Sequence, residues 1–241
     1  IIICEDADFD GAIAGALFSA FVASGQTCVS GSRFIVHRSI YDRFTDALAV
    51  RADAIVIGDP MAEITQMGPV ISKASQVRCL RMIGKAKADG AVQIAGLTSP
   101  DLTAPFDKGF YIRPTIFKDV QSDHELFLEE VFGPVISMTP YTTEAEALEL
   151  ANTGNFGLGL SIWSRDIARA HRLSLGVRGG VVWLNDHHRN DPRSVWGGVR
   201  DSGFGKENGW DALKAYTTKK SVVVRTAPGY DNWFAGSTRY G

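Results

Sequence analysis

The segment IIICEDADFDGAIAGALFSAFVASGQTCVSGSRFIVH, residues 1–37, contains the clearest indication of the fold class. It opens on an apolar run that is typical of a buried strand. Between residues 8 and 24, apolar side chains recur every three or four positions, which predicts a helix with Asp8 as its N-cap and Gly25 as its stop. A run of β-forming residues follows at 32–37. A strand, a helix and a second strand in this order begin the alternation that is typical of an α/β domain.

The same alternation continues through most of the chain. Periodic apolar positions predict further helices, the first of them capped by Ser39, at residues 40–48, 72–89, 144–152, 167–175 and 206–215. Runs rich in β-forming residues predict strands at residues 91–95, 111–117, 134–141, 158–163, 180–184 and 221–225. The predicted fold class is therefore α/β, a layered and largely parallel sheet with flanking helices.

The composition is that of a folded globular protein. Of the 241 residues, 45% are hydrophobic and 22% are charged, which excludes the disordered and fibrous classes. The formal net charge is −2, and no basic patch is long enough to follow a phosphate backbone, so we expect no nucleic-acid partner. No apolar run reaches the roughly 18 residues of a membrane span, so we expect no membrane partner.

The cysteines indicate a cellular compartment. Cys4, Cys28 and Cys79 are too few and too scattered for a disulfide framework, which favours a reducing environment. The start of the chain does not have the pattern of a signal peptide, and we therefore expect a cytoplasmic protein. The first residue is not Met and lies within the apolar run, so we expect that a preceding segment has been removed or is not included.

Cys28 is the first candidate for chemistry. It lies between the end of the first predicted helix and the start of a strand, where rigid elements hold an accessible turn. Such a position suits a nucleophile, which has to be both fixed and exposed. The alternative is a small buried core thiol, since free cysteine is among the most buried residue types. Cys4 and Cys79, one in an apolar strand and one in a helix pattern, are interpreted in that second way.

Three blocks of sequence resemble motifs of the aldehyde dehydrogenase superfamily. The first is GQTC at residues 25–28, followed by Arg33. The second is LEEVFGPV at residues 128–135. The third is WGGVRDSGFGKE at residues 196–207, followed by Tyr216 and Thr217. Their order and spacing are similar to those of the C-terminal, catalytic half of that superfamily, over most of this chain.

The resemblance implies a mechanism for Cys28. In the superfamily, a cysteine at this position attacks the carbonyl carbon of an aldehyde, hydride transfer to NAD or NADP leaves a thioester, and water hydrolyses it. Cys28 would be this nucleophile, and its backbone N–H would be one donor to the oxyanion. Glu130 would hold the hydroxyls of the nicotinamide ribose, and Phe132 would flank the nicotinamide. Without the resemblance, Glu130 would be interpreted as solvated surface charge.

The resemblance also implies a pocket for a small-molecule substrate, an apolar or aromatic aldehyde or another apolar carbonyl compound. Its predicted members flank Cys28 or follow the strand predicted at 180–184: Thr27, Val29, Asn185, Asp186, His187, His188 and Trp196. Asn185 is expected to fix the backbone of its loop, and Trp196 to form an aromatic wall. The paired histidines beside carboxylates are an alternative metal site. Adjacent histidines lack the spacing that points several ligands at one ion, so we predict no metal.

The superfamily places three further parts before its nucleophile: the dinucleotide-binding domain, a general-base glutamate and an amide of the oxyanion hole. This sequence begins near the end of that stretch, and it contains no glycine-rich phosphate-binding turn. We therefore expect no cofactor and no NAD-dependent oxidation for the isolated chain. Three interpretations remain: the catalytic half of an ordinary aldehyde dehydrogenase, a truncated relative that performs cyclisation, isomerisation or thioester chemistry without nicotinamide, and a non-catalytic assembly module.

The resemblance divides the chain into two parts. Residues 1–220 would form an aldehyde dehydrogenase-like catalytic domain, and residues 221–241 an oligomerisation strand with a C-terminal tail. The superfamily counterpart of this strand pairs in a sheet shared between subunits, and an unpaired apolar edge favours self-association. We therefore predict a homo-oligomer, a dimer or larger, with Val222, Val223 and Val224 in or near the contact.

Overall fold

The computed structural model describes residues 1–229 and Phe234, and the other residues of the predicted tail lie outside this part of the chain. The strands of the described residues are β1 (Ile2–Ile3), β2 (Arg33–His37), β3 (Val92–Ala95), β4 (Thr115–Lys118), β5 (Val135–Tyr141), β6 (Gly159–Trp163) and β7 (Val181–Leu184). Their α-helices are α1 (Phe9–Phe21), α2 (Tyr41–Asp53), α3 (Lys73–Ala88), α4 (Glu125–Leu128), α5 (Glu144–Asn152), α6 (Ile167–Gly176) and α7 (Gly209–Ala215).

The strands form one sheet in the order β3-β4-β5-β2-β1-β6-β7. All neighbouring strands are parallel except β3 and β4. β1 lies inside the sheet, where Ile2 is opposite Ile35 of β2 on one side and Ile162 of β6 on the other. The predicted fold class, an α/β protein with a largely parallel sheet and flanking helices, is confirmed.

Helices cover both faces of the sheet. On one face, α1 and α2 pack through Ile13 and Phe44 against Phe34 of β2. On the other face, α5 and α6 cover Ile35, and α3 and α4 cover Phe117 of β4. Burial on both faces explains why β1 and the centre of β2 are continuous apolar runs rather than alternating ones. None of the helices in the described part of the chain is long and apolar enough to cross a membrane.

The first helix ends earlier than its sequence pattern predicts. A 3-10 turn over Val22–Gly25 follows α1, and within it Ala23 and Ser24 have left-handed φ angles of 51° and 58°. Gly25 therefore ends this turn and not the α-helix. Asp8 does precede α1, but its side chain makes no capping hydrogen bond. Left-handed residues cannot continue a right-handed helix, so α1 ends at Phe21.

Other boundaries also differ from the sequence prediction. Ser39 lies inside a 3-10 turn over Arg38–Ile40 and does not cap α2. The strand predicted at 111–117 begins late, as β4, and α7 begins at Gly209 instead of residue 206. The short helix α4 has no counterpart in the prediction, because so few residues show no periodicity. By contrast, α5 has the predicted bounds.

The segment predicted as a C-terminal strand, residues 221–225, is not in a strand in this structure. Its valines are strongly exposed, at 77% for Val222, 94% for Val223 and 73% for Val224. Apolar side chains exposed together are typical of a surface that a partner covers. The predicted contribution of these residues to an oligomer stays a prediction.

Candidate active site

A cleft of about 330 Å³ lies at the amino ends of the parallel strands. Its walls include the segments that lead into three strands: residues 28–32 before β2, residues 153–158 before β6 and residues 178–179 before β7. Four of the predicted site residues line it: Cys28, Val29, Glu130 and His187. The structure thus brings the predicted nucleophile, one predicted cofactor residue and two predicted pocket residues to one place.

Cys28 lies in a tight turn on the wall of the cleft. The Ser30 backbone N–H donates to the Thr27 carbonyl at 3.0 Å, and the hydroxyl oxygens of the same two residues lie 2.8 Å apart. Cys28 is exposed, whereas Cys4 and Cys79 are buried. Burial raises the pKa of both buried thiols, which keeps them in the unreactive protonated form. Cys28 is therefore the thiol that a substrate can reach.

The chain enters the Cys28 turn through a strained segment. Ala23, Ser24 and Gly25 take consecutive left-handed conformations, with φ of 51°, 58° and 69°. Each residue other than glycine loses about 1 kcal/mol or more in this conformation. The Ser24 hydroxyl donates to a backbone carbonyl of the segment 68–71 at 2.9 Å. The Gln26 side-chain oxygen accepts from a backbone N–H of the same segment, also at 2.9 Å. These two side chains hold the strained segment against its neighbour.

The second motif block lies beside this turn. Glu130 lines the cleft, where packing around its carboxyl group raises its pKa and the Arg78 guanidinium opposes the rise. Arg78 also donates hydrogen bonds to the carbonyls of Val131 and Phe132, at 2.9 and 3.3 Å. These bonds support the left-handed conformation of Phe132, whose φ is 52°. Phe132 lines a narrow adjoining space, which Glu130 shares, and not the cleft itself.

Two glycines allow the first and second motif blocks to touch. A Cβ on Gly25 would overlap the carbonyl oxygen of Gly133. A Cβ on Gly133 would in turn overlap the sulfur of Cys79 on α3. The backbones of the two blocks are therefore in direct contact, with α3 immediately behind them.

Asn185 and Asp186 shape the loop that follows β7. Asn185, at φ 54°, accepts a hydrogen bond from the Ser164 N–H and donates one to the Ser164 carbonyl, both at 2.9 Å. Asp186 accepts from the backbone N–H of His187 at 2.8 Å and forms an ion pair with Arg189. Neither Asn185 nor Asp186 lines the cleft. Their side chains instead turn the loop back towards it.

The paired histidines bring this loop onto the Cys28 turn. His187 is only 6% exposed, and its Nε2 lies 2.7 Å from the Val29 carbonyl oxygen. The Nε2 of His188 lies 3.3 Å from Thr27 Oγ1. Burial lowers the pKa of His187 to about 4 and also lowers that of His188, so both rings are neutral near pH 7. Among the described residues, no group of three or more His, Cys, Asp or Glu side chains is placed to hold a metal ion.

An aromatic layer lies behind the histidines. The ring centroid of Trp183 lies 4.9 Å from that of His187 and 6.2 Å from that of Trp196. Neither Trp183 nor Trp196 lines the cleft, and both are connected to it through His187. Trp183 is absent from the predicted site, because a tryptophan inside an apolar strand has the sequence pattern of a core residue.

Arg33 is a further residue of the cleft that the predicted site lacks. Its guanidinium donates to the Thr153 carbonyl at 2.8 Å and lies over the Phe127 ring, 4.8 Å from the centroid. Burial lowers its pKa, and Arg200 adds to this effect. A cation held by a carbonyl and an aromatic face supports the cleft wall. The sequence feature that could have identified Arg33 as a cleft residue is its position in the first motif block.

The third motif block closes the cleft from the side of β6. Ser202 lines the cleft, and its hydroxyl accepts from the Gly157 N–H at 2.9 Å. Residues 154–158 form the adjoining wall and are also absent from the predicted site. Their closely spaced glycines, directly before an apolar strand, were the signal that could have found them.

Comparison with known proteins gives a family match over nearly the whole chain. The model of the aldehyde dehydrogenase family matches residues 1–222. A betaine aldehyde dehydrogenase from Brucella anthropi is 41% identical over 224 residues, which are 93% of this chain and 46% of that protein. One from Rhizobium johnstonii is 38% identical over 228 residues, 95% of this chain and 46% of that protein. The chain thus spans about half the length of these curated relatives.

Solved structures show the same relationship. The crystal structure of betaine aldehyde dehydrogenase from Staphylococcus aureus in complex with NAD+ superposes with a TM-score of 0.90 at 36% identity, covering 98% of this chain and 46% of that one. An aldehyde dehydrogenase from Bacillus cereus superposes with a TM-score of 0.86 at 38% identity, covering 92% of this chain and 44% of that one.

Proposed function

The chain belongs to the aldehyde dehydrogenase family, and on this premise we propose that Cys28 is the nucleophile of an aldehyde oxidation in the cleft. One observation carries the proposal: Cys28 is an exposed thiol in a hydrogen-bonded turn on the cleft wall, while Cys4 and Cys79 are buried. A nucleophile needs this combination of access and fixed position.

The turn suits the first step of such a reaction. The Cys28 thiolate would attack the carbonyl carbon of the aldehyde, so that a C–S bond forms and the carbonyl electron pair becomes an oxyanion. The backbone N–H of Cys28 would donate to this oxyanion. Loss of a hydride from the same carbon would leave a thioester. Water would then cleave the C–S bond, which releases the carboxylic acid and returns the proton to the thiol.

The residues of the cleft fit one end of a nicotinamide cofactor. A carboxylate accepts hydrogen bonds from vicinal hydroxyls, so Glu130 would hold the nicotinamide ribose and Phe132 would flank the ring from the adjoining space. NAD or NADP, when bound, supplies the acceptor for the hydride. Within residues 1–229, we find no glycine-rich turn from a strand into a helix to receive a pyrophosphate. We therefore propose that the isolated chain does not itself form NADH.

We propose an apolar or aromatic aldehyde as the substrate class. Val29 and the neutral His187 ring line the cleft, and Trp183 lies directly behind the imidazole. This uncharged part of the wall favours a flat or apolar group, while charged side chains such as Arg33 and Glu130 also line the cleft. The relatives are named for betaine aldehyde, a cation, and aromatic faces also accept cations. Benzaldehyde and betaine aldehyde are therefore the two probes to compare.

The experiment is protection of Cys28 from alkylation. Iodoacetamide labelling followed by peptide mapping gives the rate at each cysteine separately, and we expect Cys28 to react fastest. Benzaldehyde should slow labelling of Cys28 because it forms a reversible adduct with the thiol, and benzyl alcohol, which has no carbonyl, should not. Unchanged labelling of Cys28 in the presence of both aldehydes, or faster labelling of Cys79, would contradict the proposed function.

We further propose that the chain associates with a second copy through residues 221–225. Val222, Val223 and Val224 are exposed together, and extended apolar segments pair readily with another strand. Light scattering at tens of micromolar should give the mass of a dimer or larger. Val223→Lys should shift this mass towards the monomer, and a monomer for the unaltered chain would contradict the proposal.

A further inference from the structure

His187 holds one end of a single peptide unit in the Cys28 turn. This unit joins Val29 to Ser30. Its carbonyl oxygen lies 2.7 Å from Nε2 of His187, and its N–H donates to the Thr27 carbonyl at 3.0 Å. Both polar groups of the unit are engaged, so its plane cannot rotate without the loss of a hydrogen bond.

The contact defines which nitrogen of His187 carries the proton. A backbone carbonyl only accepts hydrogen bonds, so Nε2 is the donor of the neutral ring. Burial lowers the pKa of His187 to about 4, which keeps the ring neutral near pH 7. Nδ1 is then a bare acceptor, and it is buried without a hydrogen-bond partner in the described part of the chain.

An unpartnered buried acceptor destabilises a fold, and such groups in native proteins call for a reason. An apolar ring at the position of His187 would pack against Trp183 without leaving an acceptor unpaired. The imidazole supplies one thing that such a ring lacks, the Nε2–H donor to the Val29 carbonyl. The Nε2–H donor is therefore the reason for a histidine at this position, although its Nδ1 has no hydrogen-bond partner among the described residues.

The imidazole is itself fixed by its surroundings. The Trp183 ring lies 4.9 Å from it, and the Asp186 carboxylate accepts from the His187 backbone N–H at 2.8 Å. The Trp183 indole N–H donates to the Arg189 carbonyl at 2.7 Å, which closes the loop around the histidine. The Nε2–H donor is thus held in place relative to β7.

We propose that His187 is a positioning residue: its Nε2–H fixes the Val29–Ser30 peptide and, through it, the turn that presents Cys28 to the cleft. The inference rests on the proposed function, since the turn has to be fixed only if its thiol reacts. The 3.3 Å contact between His188 and Thr27 Oγ1 supports the other end of the same turn.

The test compares two replacements of His187 in the full chain. His187→Gln keeps an N–H donor near the Val29 carbonyl, whereas His187→Phe fills the space without one. The measured quantities are the rate of Cys28 alkylation by iodoacetamide and the midpoint of thermal unfolding. His171→Phe, at an exposed histidine of α6, is the matched control and should change neither.

We expect His187→Phe to slow the alkylation of Cys28 by about five- to tenfold, the factor that one ordinary hydrogen bond supplies, and His187→Gln to stay within about twofold of the unaltered chain. Alkylation at the unaltered rate in His187→Phe would overturn the proposal. Equal slowing in the Gln and Phe variants would also overturn it, because the ring and not its donor would then matter.

A second measurement needs no variant and covers the case in which His187→Phe does not fold. In ¹⁵N NMR spectra of the unaltered chain, we expect the His187 ring to carry its proton on Nε2 and none on Nδ1. A proton on Nδ1 would overturn the proposal. Failure of the proposed function is recognised separately, because aldehydes would then fail to protect Cys28 in the unaltered chain.

Discussion

The two ends of the same parallel strands are built differently. At the amino ends, the loops beside the cleft contain left-handed residues such as Ser24 and Phe132. At the carboxyl ends, hydrogen bonds and ion pairs close the edge of the sheet. Asp6, after β1, accepts from the Ser164 hydroxyl at 2.9 Å and from Arg169 at 3.3 Å.

The carboxyl-end network extends from α6 to α5. Arg169 pairs with Glu5 at 2.8 Å and with Glu144 at 3.4 Å, and Glu144 pairs with Arg172 at 2.7 Å. Each of these charges has at least one partner of opposite sign. The network therefore stabilises the sheet edge, and it leaves its charges little freedom to bind a ligand.

In open α/β sheets, ligands usually bind outside the carboxyl ends of the strands. Here ion pairs occupy that position, and the cleft lies at the opposite ends. The cleft side has three consecutive left-handed residues before Cys28 and the unpartnered Nδ1 of His187, whereas the left-handed residues at the carboxyl ends, Asp119 and Asn185, are isolated ones. In this molecule, a run of consecutive left-handed residues lies beside the cleft, and the general rule about strand ends does not locate it.

The largest expected contrast between the two ends is their response to acid. Burial holds the pKa of His187 at about 4 in the folded chain, below its ordinary value of 6.5, so the unfolded chain binds the proton first. Stability should therefore fall as the pH drops from about 6.5 to about 4, by at most about 3 kcal/mol, since one pKa unit corresponds to about 1.4 kcal/mol. Burial of His188 acts in the same direction.

The carboxyl ends should respond only at lower pH. Burial opposes ionisation of Asp6, but hydrogen bonds from Asp166, Ser164 and Arg169 outweigh it and lower its pKa, and the bond from Arg172 lowers that of Glu144. Their stabilisation is present above the ordinary carboxylate values and is lost as the pH falls through the lowered ones.

Urea unfolding between about pH 8 and pH 3 measures both responses. His187→Phe should remove most of the loss of stability between about pH 6.5 and pH 4 and leave the loss that the carboxylates cause at lower pH. Stability that stays constant from about pH 6.5 to pH 4.5 in the unaltered chain would contradict the assignment.

The next largest effect should come from crowding the contact behind the cleft. Gly133→Ala places a Cβ on the sulfur of Cys79, and overpacking of this kind destabilises by about 2 kcal/mol. Cys79→Ala should recover part of this loss when combined with Gly133→Ala, although alone it leaves a cavity. Denaturation of the two single variants and the double variant gives the coupling energy, and strict additivity would show that the two residues do not meet.

A smaller effect is expected when the carboxyl-end network loses its central cation. Arg169→Met leaves Glu5 and Asp6 without this partner and should lower the free energy of unfolding by about 1 kcal/mol, because the network is partly solvated. The alkylation rate of Cys28 should not change, since the cleft lies at the other ends of the strands. A slower rate at unchanged fold would show that the two ends are coupled.

The smallest effect concerns the strained turn. Ala23→Gly removes the left-handed penalty but adds backbone entropy, so a net gain of about 0.5 kcal/mol is expected. Ala14→Gly, at an exposed position inside α1, is the matched control and should lose about 1 kcal/mol. Thermal unfolding of the two variants measures both changes in stability. If both variants lose stability by a similar amount, Ala23 is not strained.

Local patterns in the sequence were sufficient for most of the fold. The continuous apolar run of β2 and the periodicity of α5 lie within short windows, and short windows determine strands and helices. The positions of Cys28 and Glu130 came from motif blocks. The structure shows that residues of both blocks line one cleft, which neither block indicates by itself.

Long-range contacts explain what sequence reasoning could not find. His187 and Val29 are separated by 158 positions, and nothing near either residue indicates that a ring nitrogen meets a carbonyl. The left-handed Ala23 lies in a segment whose apolar spacing still resembles a helix. Trp183 is typical of a core residue until its neighbours are known. In each case, tertiary packing and not local preference determines the role.

The distance along the chain between His187 and Val29 has a kinetic consequence. Contacts between residues far apart in sequence form late, because the entropy of closing a long loop is lost before they are gained. During refolding, helices such as α1 can form long before the loop after β7 reaches the Cys28 turn. The pairing of β1 with β6 spans an equally long loop, so we expect the site to be completed no earlier than the sheet, and the recovery of native thiol reactivity at Cys28 should report that stage of folding.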